Sequence, residues 1–216
     1  MKLSTICETK SGFTARSRLD AIADGGTRAV QLRDLSGEGD FDPASAPRYQ
    51  LTSSFERYWA VAGDVLFRSR GERNTAVCVA PDTEARAVAI LPLIILRPDA
   101  DRLDGRYLAW FINQPEAQRH FDKCARGTSL RMIPKGCLEA LDVPVPDLNT
   151  QRLVVEIDRL ARCETALMAR LSEKKQEFTS FALLQQVRKA QLHGNGAGRL
   201  AAHRIRTPVG KPERTE

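Results

Sequence analysis

A long stretch without helix-breaking residues is the feature that most constrains the fold of this chain. Residues 149–193 contain neither proline nor glycine, and large apolar side chains recur there at alternating steps of four and three. This is the heptad spacing of a coiled coil, and Asn149 is placed to cap the start of the helix. A continuous helix over this range would be roughly 65 Å long. The predicted seam residues are Leu153, Ile157, Leu160, Leu167, Leu171, Phe178 and Phe181.

The seam predicts a second helix packed against the first. An apolar stripe of this length exceeds what the preceding residues can cover, so the partner helix comes from another chain or from another protein. Polar residues interrupt the seam at Glu164, Lys174 and Gln185. Such interruptions fix the register and the number of helices in a coiled coil. The alternative is a helix that folds back as a hairpin on its own domain.

Residues 1–148 predict one mixed α/β domain. Tyr107, Leu108, Phe111, Ile112 and Phe121 repeat at helical spacing, which predicts a single helix over roughly 104–123. Short apolar runs with strand character, separated by Gly, Asp and Pro, occur at 29–32, 59–67, 75–80, 87–96 and 141–145. The sequence therefore predicts three parts: a domain at 1–148, a helical arm at 149–193, and a basic, disordered tail at 194–216.

Positive charge is unevenly distributed between these parts. The formal net charge is +6, yet residues 1–148 hold 20 Lys and Arg against 20 Asp and Glu. The counts are 8 against 5 in residues 149–193 and 5 against 2 in residues 194–216. Because the domain is neutral overall, it would bind DNA only through a local concentration of cations.

Two segments of the domain have that concentration. The first segment, residues 63–74, contains Arg68, Arg70 and Arg73 and ends in Asn74. Alternation on a strand would place Arg68 and Arg70 on one face. Residues 119–135 hold five Lys and Arg and one His against one carboxylate. Arginine and lysine bind phosphate, and Ser, Thr and Asn add hydrogen bonds. The alternative is that both segments are solvated loops. Their candidate DNA-binding residues are Arg68, Arg70, Arg73, Asn74, Lys123, Arg126, Thr128, Ser129, Arg131 and Lys135.

Catalytic motifs are missing from the sequence. It contains no G-x-S-x-G, no G-x-x-x-x-G-K-[ST], no H-E-x-x-H and no N-P-P-Y-type motif for base methylation. We therefore expect a non-catalytic chain without a bound cofactor. The five cysteines are scattered and never spaced C-x-x-C, which predicts reduced core thiols, with neither a metal site nor a disulfide. The sequence lacks an apolar signal segment and a run long enough to span a membrane, which predicts a cytoplasmic protein.

The order of these segments resembles half of the DNA-specificity subunit of type I restriction–modification enzymes. The resemblance rests on KLSTICETKSG near the start, AGDVLFRSRG (62–71) and LIILRPD (93–99). It continues through DGRYLAWFINQPEAQRHF (104–121), RGTSLRMIPKGCLEALDVPVPDLNTQ (126–151) and the helix that begins RLVVEIDRL.

The resemblance implies an α/β target-recognition domain that reads one half of a bipartite site in double-stranded DNA, followed by a coiled-coil-forming helix. It implies that a partner methyltransferase (modification) subunit performs the chemistry with S-adenosylmethionine. It further implies a restriction subunit that translocates DNA, in a complex with a phage-defence role.

Two departures from the family pattern accompany this resemblance. A full specificity subunit has two recognition domains and two helices, whereas this sequence has one set and no internal repeat. A single set implies either a half-subunit that forms a homodimer or a truncated product. The corner that usually reads P-L-x-E-Q is D-L-N-T-Q here, with Thr150 in place of the acid. Two other interpretations stay open: the specificity component of a related phage-defence system, and a coiled-coil adaptor that binds protein instead of DNA.

Overall fold

The structure is a computed structural model that describes residues 1–15, 19–35, 39–51, 54–71, 73–126 and 131–201, with side chains of the last helix described as far as residue 191. The chain divides into a compact unit, Met1–Arg159, and a second unit that begins at Leu160. The first unit has mixed α/β structure, as predicted, and one long helix joins it to the second unit.

The first unit contains two four-stranded sheets. One sheet has the order β1 (Cys7–Ser11), β8 (Leu93–Pro98), β5 (Val65–Arg68) and β6 (Ala76–Cys78), and all its pairs are antiparallel. The other has the order β3 (Arg48–Tyr49), β2 (Thr27–Val30), β7 (Ala87–Ala89) and β4 (Trp59–Ala60). Only its β2–β7 pair is parallel.

The first sheet is buried on both faces, which explains its continuous apolar runs. Ile94 and Leu96 of β8 belong to the core cluster that includes the helices, whereas Leu93 and Ile95 belong to the cluster shared with the second sheet. This is the two-residue alternation of a strand, with apolar neighbours on both sides. The helices on the outer face are α1 (Gly105–Ile112), α2 (Pro115–Cys124) and α3 (Lys135–Glu139).

Several predicted elements differ in their bounds. The predicted helix over 104–123 is two helices, because Pro115 cannot continue α1 and holds Gln114 in an extended conformation. The apolar run 87–96 is likewise two strands, divided at Leu91 and Pro92. The segment 141–145 does not form a regular strand, but it pairs with the chain start: Lys2 and Asp142 form an isolated antiparallel bridge, and Met1 and Val143 exchange two hydrogen bonds.

The long helix α4 extends from Leu148 to Ala201. It passes the predicted end at 193 and includes residues 194–201 of the predicted disordered tail; the remainder of the tail lies outside the described residues. Its cap is Asp147 and not Asn149, because the Asp147 carboxylate accepts hydrogen bonds from the backbone N–H groups of Asn149 and Thr150. No helix in the described part of the chain is long and apolar enough to cross a membrane.

Gln151 fixes the beginning of α4 to the domain. Its side chain is wholly buried, with Oε1 accepting from the Asp104 backbone N–H at 2.8 Å. Its Nε2 donates to the carbonyls of Arg102 and Pro146 at 2.9 and 2.8 Å. The same amide therefore joins the cap of α1 to the corner before α4, next to the packed side chains of Val154 and Val155.

We expect Gln151→Ala to lower the free energy of unfolding of the first unit by about 2–4 kcal/mol, because it leaves three partly buried backbone groups without their side-chain partner. Urea denaturation followed by the fluorescence of Trp59 and Trp110 measures this change. The control is Gln176→Ala, at an exposed position of the same helix. Equal midpoints for the two variants would contradict the assigned role of Gln151.

Candidate nucleic-acid interface

The two basic segments predicted from the sequence lie side by side in the structure. Beyond the end of β5, the Gly71 N–H donates to the Arg131 carbonyl at 3.1 Å. The Ile133 N–H donates in turn to the Ser69 carbonyl at 2.8 Å, and Arg70 pairs with Met132 as an antiparallel bridge. Residues about sixty positions apart in the chain thus share one surface.

A second backbone pairing places Arg126 on the other side of Met132. The N–H and carbonyl groups of Arg126 and Met132 exchange two hydrogen bonds of 2.9 Å. Met132 therefore lies between Arg70 and Arg126, and all three are exposed. We call these three residues the arginine platform. Predicted residues Thr128 and Ser129, in the loop between Arg126 and Arg131, lie outside the described residues.

Exposure separates the remaining candidates. Arg68 is half-buried and Ser69 is buried, so the predicted alternation along the strand holds for Arg68 and Arg70. Lys135 is exposed and pairs with Glu139 at 3.3 Å. The predicted DNA-binding residues with exposed side chains are Arg70, Arg73, Lys123, Arg126 and Lys135.

Asn74 is not available to a ligand, contrary to the prediction. Its side chain is 0% exposed, and its Nδ2 donates to the Arg68 carbonyl at 3.0 Å. The Asn74 carbonyl accepts from Gln118 Nε2 at 2.9 Å. Asn74 thus holds the turn after β5 against α2, a structural role that a polar residue beside three arginines does not reveal in the sequence.

Arg131 also faces the protein more than the solvent. Its guanidinium forms an ion pair with Asp122 of α2, and 28% of its side chain is exposed. Its Nε and Nη2 atoms are buried without a hydrogen-bond partner. Arg131 braces the segment 131–133 against α2, and its predicted role in DNA binding stays a prediction.

A disulfide between Cys124 and Cys137 joins the end of α2 to α3. The prediction of reduced core thiols is therefore wrong for this pair. Cys163 is a free cysteine, but its side chain is exposed on α4 and so does not belong to the core. The prediction is confirmed for Cys7 and Cys78, which are buried. Burial, with a smaller contribution from Asp64, raises the pKa of Cys7 to about 12, so that thiol stays protonated.

One set of side chains among the described residues has donor atoms close enough to share a metal ion. His120, Cys124 and Cys137 have one donor atom each within 4.8 Å of the others. The His120 ring is oriented by a 2.9 Å hydrogen bond between Nε2 and the Cys137 carbonyl. Joined in a disulfide, the two sulfurs are not thiolate ligands, so only the reduced pair would offer a metal three donors.

No protein-family model and no curated protein matches the sequence. Solved structures do match. One belongs to a type I R-M system whose complex assembly and conformational transition were analysed. It is 22% identical with a TM-score of 0.59, over 82% of this chain and 41% of that chain. Another is the HsdS subunit from Thermoanaerobacter tengcongensis, 20% identical with a TM-score of 0.56, over 78% of this chain and 38% of that one.

These similarities confirm the predicted resemblance at the level of the fold. This chain spans about two fifths of the length of either solved chain. The mixed α/β domain followed by a long helix is the architecture that it shares with these proteins of type I restriction–modification systems.

Proposed function

We propose that this chain is the DNA-specificity component of a type I-like restriction–modification complex. It recognises one half of a bipartite site in double-stranded DNA and places a partner methyltransferase there. The observation that carries the proposal is the arginine platform: the two densest basic segments of a neutral domain meet on one exposed surface. The fold, shared with two solved chains of such systems, supports the same function.

The arginine platform has the chemistry to contact a duplex. Arg70 and Arg126 carry forked donors that bind phosphate oxygens or the O6 and N7 atoms of guanine. Met132 between them is 37% exposed and offers an apolar contact of the kind that thymine methyl groups accept. Lys123 and Arg73 are also exposed within the two basic segments and would add phosphate contacts. Backbone pairing on both sides of Met132 holds the two arginines at a fixed spacing.

The reaction itself belongs to a partner in this proposal. A methyltransferase subunit carries S-adenosylmethionine, and a restriction subunit that translocates DNA joins the same complex. The buried thiols of this chain are poor nucleophiles, because burial raises the pKa of both Cys7 and Cys78. This chain contributes position and sequence recognition.

A second copy of the chain covers the seam of α4. The seven predicted seam residues keep between 50% and 72% of their surface exposed. Met168 and Leu184 are exposed beside the seam and widen the apolar stripe, whereas the exposed Leu183 and Val187 lie away from it. A solitary helix gains most of its stability from packing such a stripe, so a partner helix is required. Homodimerisation supplies both that helix and the second recognition domain that a bipartite site requires.

Selection from a random pool of DNA duplexes, with the chain bound to a type I methyltransferase subunit, tests the proposed function. We expect one inverted-repeat sequence with a fixed gap, and methyl transfer to that sequence only when both proteins are present. The chain alone should transfer no methyl group. Enrichment of no sequence, or binding that does not weaken with salt, would favour a protein-binding adaptor.

A further inference from the structure

We propose that the second copy docks on α4 in one antiparallel register, in which Glu164 of each chain lies opposite Lys174 of the other. This inference rests on the homodimer of the proposed function and specifies its interface. The seam positions of α4 are symmetric about residue 169. Leu167 and Leu171 lie two residues to either side of it, and Glu164 and Lys174 lie five.

The symmetry continues outward with apolar residues. Leu160 and Phe178 lie nine residues from position 169, and Ile157 and Phe181 lie twelve. When two such helices pack antiparallel with their midpoints together, each residue meets its mirror position. Every inner pair is then apolar with apolar, and the two charged positions face each other as two Glu164–Lys174 pairs.

Other registers bury charge against apolar side chains. A shift by one heptad in one direction sets Glu164 against Leu167 and Lys174 against Ile157. The opposite shift sets Glu164 against Phe181 and Lys174 against Leu171. Each shifted dimer leaves four charged groups in the seam without partners, which is strongly unfavourable.

A parallel, in-register dimer is disfavoured by the same residues. It would place Glu164 against Glu164 and Lys174 against Lys174 of the second copy, and like charges across an interface oppose binding. Charge complementarity therefore selects both the antiparallel direction and the register.

The free helix has the surface that this docking needs. Glu164 lies in a shallow groove lined by Leu160, Cys163, Leu167, Met168 and Leu171. Lys174 pairs with Glu177 of its own chain at 2.6 Å, but its side chain is 74% exposed. An exposed ion pair of this kind contributes little to stability. The Lys174 ammonium group therefore has further N–H donors for Glu164 of the second copy.

The register also sets the length of the assembly. Residue 148, where α4 begins, falls opposite residue 190 of the second copy. At 1.5 Å per residue the two helix starts are about 60 Å apart along the coiled coil. The two recognition domains of the dimer therefore attach near opposite ends of the seam.

Cysteine cross-linking between two distinguishable copies tests the register. One copy carries Glu164→Cys, the other carries Lys174→Cys, and both carry Cys163→Ser to remove the exposed native thiol. The full chains are co-expressed with different affinity tags, purified through both tags and mildly oxidised. We expect a covalent dimer through positions 164 and 174, identified by peptide mass spectrometry, and no cross-link in the dimer that carries Glu164→Cys on both chains. A cross-link between two 164 positions, or none in the mixed dimer, overturns the proposal.

Charge reversal provides an independent measurement. Glu164→Lys alone and Lys174→Glu alone should each raise the dimer dissociation constant by at least about tenfold, because each creates two like-charge pairs. The double variant should return to within about threefold of the parent, since both pairs are re-formed with opposite polarity. A double variant weaker than either single variant refutes the register. Sedimentation of the parent is measured in parallel: a monomeric parent refutes the homodimer itself, a different failure from a dimer in another register.

Discussion

Replacing Arg70 and Arg126 together with alanine is expected to weaken binding to the selected duplex by at least about a hundredfold. Both side chains are exposed on the arginine platform, and each charge-assisted contact contributes about 1.5–3 kcal/mol. The backbone pairing with Met132 does not depend on either side chain, so the unfolding midpoint should stay within about 1 °C of the parent. Fluorescence anisotropy over a range of salt concentrations measures the loss.

The salt series also separates two modes of contact. If both arginines bind phosphate, the slope of log K against log salt should fall by about two, and all sequences should weaken alike. If one of them reads a guanine, the loss should be concentrated on the selected site, with about 1–3 kcal/mol of discrimination removed. Either result supports the platform as the DNA-binding face.

The matched control is Arg33→Ala with Arg152→Ala, which removes the same charge at two exposed positions outside the basic segments. A general electrostatic attraction would weaken both double variants equally. If the Arg70 and Arg126 variant binds like the parent while the control loses affinity, the DNA lies on another face. Arg131→Ala is kept separate, because its pairing with Asp122 predicts an effect on stability as well as on binding.

Much of the fold follows from local patterns in the sequence. The apolar runs that became β5, β6 and β8 are buried on both faces, and the seam of α4 has clear heptad spacing. Shorter or more polar elements gave no such signal: β1 reads Cys-Glu-Thr-Lys-Ser, and β3 has two residues. The division between α1 and α2 could have been predicted from the sequence, because Pro115 lies within the predicted helix and a proline there ends or kinks a helix.

The candidate site was only partly predictable, because its geometry depends on contacts between distant residues. Composition identified the two basic segments, but nothing local indicates that Gly71 and Arg131 share a hydrogen bond. Nor does composition distinguish exposed Arg70 from Arg131, whose charge is taken up by Asp122. Buried polar residues are harder still: Asn74 looks like a ligand-binding amide in the sequence and is a structural one in the fold.

Replacing both Leu160 and Leu167 with aspartate is expected to convert the proposed dimer to a monomer. Both side chains are more than half exposed on the isolated helix, so the change should leave the fold of Met1–Arg159 intact. In the dimer each aspartate would be buried without a partner, at about 3–5 kcal/mol for each charge. Two substitutions in each chain should raise the dimer dissociation constant by more than about a thousandfold. Sedimentation velocity over a wide range of protein concentrations measures this.

The control for that experiment is Thr165→Asp with Ser172→Asp, which adds the same charge on the opposite side of the heptad. Those residues face solvent in the proposed dimer, so this variant should sediment like the parent. Monomeric behaviour in both variants would mean that added negative charge, and not the seam, controls association. A dimer in both would place the interface elsewhere. Because a bipartite site requires two domains in one assembly, the Leu160 and Leu167 variant should also lose the requirement for a fixed gap and bind half-sites singly. That loss would connect the geometry of α4 to the spacing of the DNA target.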